Sequence, residues 1–115
     1  MKKTSAAPDS WKREYDRLRK SLAQIGYISQ GSVLDRSSLR PPRSGYQWTR
    51  KVAGKTITVA LNDQQFEAFS QAVANERQLG KTIRKMENLS RRILFENQPH
   101  SGRRKRLSNK VLGLV

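Results

Sequence analysis

The chain contains no cysteine, one histidine and few acidic residues, and these scarcities limit its chemistry. Without cysteine it can form neither disulfides nor thiolate metal sites. His100 stands alone beside a proline, which leaves no catalytic triad and no histidine metal cluster. The acidic residues are scattered and there is no glycine-rich phosphate loop. The sequence therefore predicts a protein that is not an enzyme and that holds no metal or other cofactor.

Long apolar runs are missing as well. No segment approaches the length of a membrane span, and the first residues lack the hydrophobic core of a secretory signal. We therefore expect no membrane partner and a cytoplasmic location.

Positive charge is what the chain has in excess. Lys and Arg number 24 against 9 Asp and Glu, which gives a formal charge of +15. Such a chain binds polyanions, because neutralising phosphates releases their condensed counterions. The basic residues occur in several blocks along the chain rather than in one tail. Nucleic acid is therefore the expected partner, with DNA favoured and RNA the alternative.

The length allows one small domain with tails. Residues 1–8 are small and polar and are predicted to be disordered. Residues 9–98 are expected to form a single helix–sheet–helix domain. Residues 99–115 are predicted to be a basic C-terminal tail, whose apolar end could form a short helix on a protein partner.

A first helix is predicted from Asp9 or Ser10, either of which could cap it, to Gly26, a typical helix stop. Its apolar residues recur at steps of three and four and share one stripe; they are Trp11, Tyr15, Leu18, Leu22 and Ile25.

A second, long helix is predicted after Asn62, which forms a capping-box pattern with Gln65. It continues to about Asn97, with a bend or break at Gly80. If the apolar stripe beyond Gly80 has no partner within the chain, a homodimer would cover it.

Between the helices, the pattern predicts three antiparallel strands. The first lies within 31–36, and the other two form a hairpin around an Ala53-Gly54 turn. That turn places Val52 opposite Lys55 and, further along, Tyr46 opposite Leu61. The predicted class is therefore α+β, with the apolar hairpin face packed on the long helix.

The other hairpin face is rich in hydrogen-bonding groups and carries our candidate DNA contacts, Gln47, Thr49, Lys51, Thr56 and Thr58. Such side chains can reach base edges in the major groove. The alternative is a solvated sheet face, for which Thr is common because it favours strands.

Basic residues around the hairpin are candidate phosphate contacts; they are Arg36, Arg40, Arg43 and Lys55. Arg50, on the apolar side, fits a phosphate contact or an ordinary surface position equally well. The tail adds the cluster Arg103, Arg104, Lys105 and Arg106, which could bind phosphates or only keep the tail soluble. Tyr27 and Tyr46 are the aromatic candidates for base stacking.

Four segments together resemble a known group of proteins: 31–34, the strand Tyr46-Gln47-Trp48, the hairpin 52–59 and the helix around 86–90. The group consists of small basic bacterial proteins, many of them found beside transposable elements. The resemblance covers about residues 25–94 and implies a role in mobile-element DNA biology. Many members carry a cysteine-rich loop where this chain has 37–45, so a metal role does not carry over. The order of elements is also similar to the arm-site DNA-binding domains of tyrosine recombinases.

The sequence thus favours a non-catalytic protein that binds double-stranded DNA and is accessory to transposition or recombination, or to their regulation. One alternative is an RNA-binding component of a ribonucleoprotein. Another is an assembly adaptor, in which the long helix and the apolar C-terminus bind a transposase or recombinase.

Overall fold

The computed structural model describes residues 6–97 and 107–113. Their elements are helix α1 (Asp9–Ser21), strands β1 (Ser32–Asp35), β2 (Tyr46–Val52) and β3 (Lys55–Leu61), helix α2 (Asp63–Asn97) and the one-turn helix α3 (Asn109–Leu112). This confirms the predicted α+β class. Two compact units are present: a sheet unit, Ile25–Leu79, and a helical unit formed by the described parts of 1–24 and 80–115.

The sheet unit contains an antiparallel sheet in the order β1-β2-β3. Val52 pairs with Lys55 and Tyr46 with Leu61, which confirms the predicted hairpin register. Ala53 and Gly54 have φ values of 51° and 80°, as a two-residue hairpin turn requires. This two-residue turn allows only one register between β2 and β3, and the register determines which side chains share each face of the hairpin.

Strand β3 leads directly into α2 through a capping box. Gln65 donates its backbone N–H to Asn62 Oδ1 at 2.8 Å, and Asn62 donates its own N–H to Gln65 Oε1 at 3.0 Å. Both bonds satisfy donors that a helix start leaves free. The predicted cap is confirmed, and it fixes the direction in which α2 leaves the sheet.

Two aromatic contacts join the apolar sheet face to α2. The rings of Tyr46 and Phe66 stack with centroids 4.1 Å apart, and those of Trp48 and Phe69 are 5.5 Å apart. Leu61, Ala72 and Val73 are buried. The predicted packing is therefore confirmed at the end of the hairpin remote from its turn.

The rest of the apolar face is less covered than we expected. Ile57 and Val59 remain 41% and 45% exposed. The helix starts next to Leu61, and its aromatic contacts are with the strand positions nearest that start. The predicted packing of the apolar hairpin face on the long helix therefore does not extend to the middle of β3.

In the helical unit, α1 packs against the second half of α2. The Ala7 N–H donates to Asn97 Oδ1 at 2.8 Å, and the Arg92 guanidinium lies 4.3 Å from the centre of the Trp11 ring. Leu18 and Thr82 are buried. These contacts cover only part of the stripe of α2 beyond Gly80, since Ile83 remains 42% exposed, and a homodimer across this stripe stays a prediction.

Both ends of α1 differ from prediction. Pro8 precedes the helix, and no side chain caps it. Asp9 belongs to the first turn, where its negative charge interacts favourably with the positive end of the helix dipole. The helix ends at Ser21 and tightens into a 3₁₀ turn over Leu22–Gln24, before Gly26 is reached. Helix α2, in contrast, continues through Gly80 without a break.

Candidate nucleic-acid interface

The face of the sheet away from α2, here called the polar face, carries a row of hydroxyl groups. The register pairs Ser32 with Thr49 and Thr49 with Thr58, so one hydroxyl from each strand lies in a line across the sheet. Side chains that are paired across strands point to the same side. Ser32 was not among the predicted contacts, because a long loop joins β1 to β2 and the sequence gives no rule for their register.

Two further pairs flank the hydroxyl row. Lys51 is opposite Thr56 on the side of the turn, and on the other side Gln47 lies between the apolar side chains of Leu34 and Ala60. Lys51, Thr56 and Thr58 are exposed, whereas Gln47 and Thr49 on the central strand are half-buried between their neighbours. The structure therefore leaves three of the five predicted contact residues fully open to solvent and the other two partly accessible.

Arg36 extends the polar face at the end of β1. Its Nε donates to Gln47 Oε1 across 3.3 Å, a long hydrogen bond that places the guanidinium beside the amide. Its carbonyl accepts from the N–H groups of Leu39 and Arg43, and its own N–H donates to Gly45 O. These bonds fold the loop back on itself and bring the backbone of Arg43 next to Arg36.

Asp35 holds the start of this loop. Its carboxylate accepts from the Ser37 N–H at 2.9 Å, and its carbonyl accepts from Ser38 Oγ at 2.8 Å. The bond from the Ser37 N–H lowers the pKa of Asp35 below its ordinary value. Asp35 is the only acidic residue in 32–61, and the register places it on the side of Tyr46. The strands thus contribute no carboxylate to the polar face.

The other predicted basic contacts do not share one surface. Arg50 pairs with Ile57 and Lys55 with Val52, so both belong to the apolar side near the turn. Arg40 is exposed in the loop after β1. The cluster Arg103, Arg104, Lys105 and Arg106 lies outside the described residues.

Part of the positive charge of α1 is neutralised within the helix. Arg17 pairs with Glu14, and Asp16 pairs with both Arg19 and Lys20. Hydrogen bonds from these basic groups lower the pKa values of Glu14 and Asp16. Solvent-exposed pairs of this kind are weak. They nevertheless reduce the charge that this helix can offer a phosphate backbone.

Tyr27 is the most exposed aromatic residue among those described, at 93%. Its backbone is fixed, because its carbonyl accepts from Asn75 Nδ2 at 2.9 Å and the nearby Ser29 N–H donates to Ala72 O at 3.1 Å. A solvent-exposed ring on an anchored backbone can stack on an unpaired base. Tyr46, the other predicted stacker, is instead engaged with a ring of α2.

The C-terminal turn interacts with the chain's own long helix. Ser108 caps α3 by accepting from the Val111 N–H, and Arg91 Nε donates to the Leu112 carbonyl at 3.0 Å. The structure thus shows a one-turn helix within the predicted tail, in contact with a residue of α2. This contact uses part of the segment that the adaptor hypothesis assigns to a partner protein.

Comparison with protein-family models, curated proteins and solved structures finds no match for this chain. Within residues 6–97 and 107–113, no helix is both long and apolar enough to cross a membrane. The same residues contain no group of three His, Asp or Glu side chains placed to hold a metal ion. Function is therefore inferred from the geometry and charge of the chain's own residues.

Proposed function

We propose that this protein is a non-catalytic nucleic-acid-binding protein that binds double-stranded DNA through the polar face of its sheet. One observation carries the proposal: an exposed face that holds a hydroxyl row, an amide and basic groups, without a carboxylate from its strands, in a chain of charge +15. A polyanion on this face would meet hydrogen-bond donors and positive charge, and no carboxylate from the three strands.

The dimensions of this face suit a groove. Neighbouring strands are about 4.8 Å apart, so three strands span roughly 10 Å between their axes. The major groove of B-DNA is about 12 Å wide. Hydroxyls donate and accept, the Gln47 amide matches the edge of adenine, and the Lys51 ammonium matches that of guanine. Side chains of this face could therefore distinguish base sequences in addition to binding the DNA.

The Arg36 loop supplies the phosphate contacts in this proposal. The folded loop brings the backbone of Arg43 to that of Arg36, and Arg36 borders the polar face through its bond to Gln47. A guanidinium can bind a phosphate with two parallel hydrogen bonds. Positive groups at the end of β1 and Lys51 near the hairpin turn would hold the sheet in register with the backbone.

The biological setting, an accessory role in transposition or recombination or in their regulation, is also a proposal. It rests on the resemblance to small basic proteins found beside transposable elements. A three-stranded sheet presented to the major groove is likewise what the similarity to recombinase arm-site domains implies.

Salt dependence of duplex binding tests the proposal. If about six phosphates are neutralised, the logarithm of the binding constant should fall against the logarithm of salt concentration with a slope of roughly −5. Fluorescence anisotropy of a labelled duplex across a salt series measures this slope. A nearly flat dependence, or no binding at low salt, would contradict the proposal.

RNA is the second candidate, and Tyr27 is the observation that favours it. An exposed ring on an anchored backbone suits unpaired bases, which structured RNA displays in loops and bulges. Competition between duplex DNA and a stem-loop RNA separates the two functions. Preference for the RNA, together with its loss in Tyr27→Ala, would favour the RNA-binding function over the DNA-binding one.

A further inference from the structure

Strand β3 forms one edge of the sheet, and six of its seven residues are exposed. Ile57 and Val59 stand next to each other on its apolar side and are 41% and 45% exposed. An exposed edge strand with apolar side chains is a template for pairing with another strand.

The backbone groups available at this edge follow from the turn. In a two-residue hairpin turn, the residues that flank it, here Val52 and Lys55, are hydrogen-bonded to each other. Bonded and non-bonded pairs then alternate along the ladder. Ile57 and Val59 therefore direct their N–H and C=O groups towards β2, whereas Thr56, Thr58 and Ala60 direct theirs outward.

The edge lacks the devices that usually prevent pairing. It contains no proline, its pairing with β2 continues one to one without a bulge from Lys55 to Leu61, and its only charge is Lys55 beside the turn. The opposite edge, β1, is shorter, with four residues, and ends in the charged Asp35. Of the two edges, β3 is therefore the more competent to pair.

We propose that β3 pairs antiparallel with β3 of a second copy of this chain, with a two-fold axis at Thr58. In this register, Thr58 faces Thr58 of the second copy, and Thr56 faces its Ala60, so all the outward backbone groups meet partners. Ile57 faces Val59 of the second copy on the apolar side, twice in the dimer. Lys55 faces Leu61, so no like charges are opposed.

The strand is thus self-complementary in sequence and in backbone hydrogen bonding. A second copy of this chain is therefore the partner that we infer for the exposed edge of β3. The inference does not require the proposed DNA-binding function. The interface is small, which predicts a reversible association in the micromolar range. Two chains of charge +15 repel each other, so added salt should strengthen the dimer, whereas it should weaken binding to DNA.

Dimer formation also has a consequence for groove binding. The six-stranded sheet would be roughly 24 Å wide, about twice the width of the major groove. Its polar faces stay exposed, since the pairing uses backbone groups at the edge. A dimer and a monomer with its whole sheet in one groove are therefore alternative states.

Two isoleucines of nearly equal exposure provide a matched test. Ile57→Lys places a charge against the apolar side of the second copy, and Ile83→Lys adds the same charge on α2, at a residue 42% exposed. Sedimentation velocity from about 1 µM to about 1 mM covers any micromolar dissociation constant. We expect the mass to rise from 13.2 kDa towards twice that value for the wild type and Ile83→Lys, but not for Ile57→Lys.

Thr58→Pro is a second variant. It should leave the pairing of β2 with β3 intact, because the amide N–H that it removes points away from β2. It should also remain monomeric, with a circular dichroism spectrum like that of the wild type. In the wild type, hydrogen exchange at the amides of Thr56 and Thr58 should slow as concentration rises. A wild-type mass of 13.2 kDa throughout, equal dimerisation of the Ile57→Lys and Ile83→Lys variants, or a dimer without this amide protection would overturn the proposal.

Discussion

Replacing Thr49 and Thr58 together by valine should weaken binding to a preferred duplex by about 5-fold to about 150-fold. Valine keeps the branched shape that favours strands, so only the hydroxyls are lost. The register places them on adjacent strands of the polar face, where both can contact one groove. A hydrogen bond contributes about 0.5–1.5 kcal/mol, and two give about 1–3 kcal/mol.

The salt slope separates this effect from a general loss of attraction. No charge is removed, so the slope should equal that of the wild type while the affinity for the preferred duplex falls. The double variant Thr49→Ser, Thr58→Ser keeps both hydroxyls and should bind much more like the wild type.

Anisotropy titrations would compare a duplex that the wild type selects from a random pool with an unrelated duplex. The valine variant should lose preference between the two, because hydroxyls that contact base edges discriminate between sequences. If the valine variant retains both the wild-type affinity and the wild-type preference, the polar face does not read DNA.

Three further predictions concern the scaffold. Asn62→Ala, which removes the capping bond accepted by Asn62 Oδ1 from the Gln65 N–H, should lower the free energy of unfolding in urea by about 1 kcal/mol. Gln65→Ala removes only the reciprocal bond from the Asn62 N–H and should lower it by less. Phe66→Ala, which loses its ring stack, should lower it by about 2–4 kcal/mol, whereas Tyr27→Ala at an exposed position should change it by less than about 0.5 kcal/mol. The folded state lowers the pKa of Asp35, so this carboxylate stabilises the fold above its ordinary pKa of about 3.9, and the contribution disappears as pH falls through the lower folded value. Thermal unfolding between about pH 5 and pH 2 should therefore be less pH-dependent in Asp35→Asn; an equal dependence would show that this bond does not perturb the carboxylate.

Features governed by neighbouring residues were predictable from the sequence. The Ala53-Gly54 turn determines the hairpin register, since a two-residue loop permits only one pairing of its flanks. Asn62 and Gln65 lie three residues apart, within reach of each other as soon as one helical turn forms. The composition and order of the elements were likewise enough to predict an α+β class.

Features that depend on distant partners were decided by the tertiary structure. Ser32 joins the hydroxyl row only because β1 pairs with β2 in one particular register, which the ten-residue connection 36–45 leaves undetermined. The start of α2 determines that Ile57 and Val59 stay exposed, although alternation alone assigned them to a covered face. Sequence periodicity shows which side chains share a face; only packing between elements shows how much of that face is buried, because burial depends on where the covering helix begins and ends.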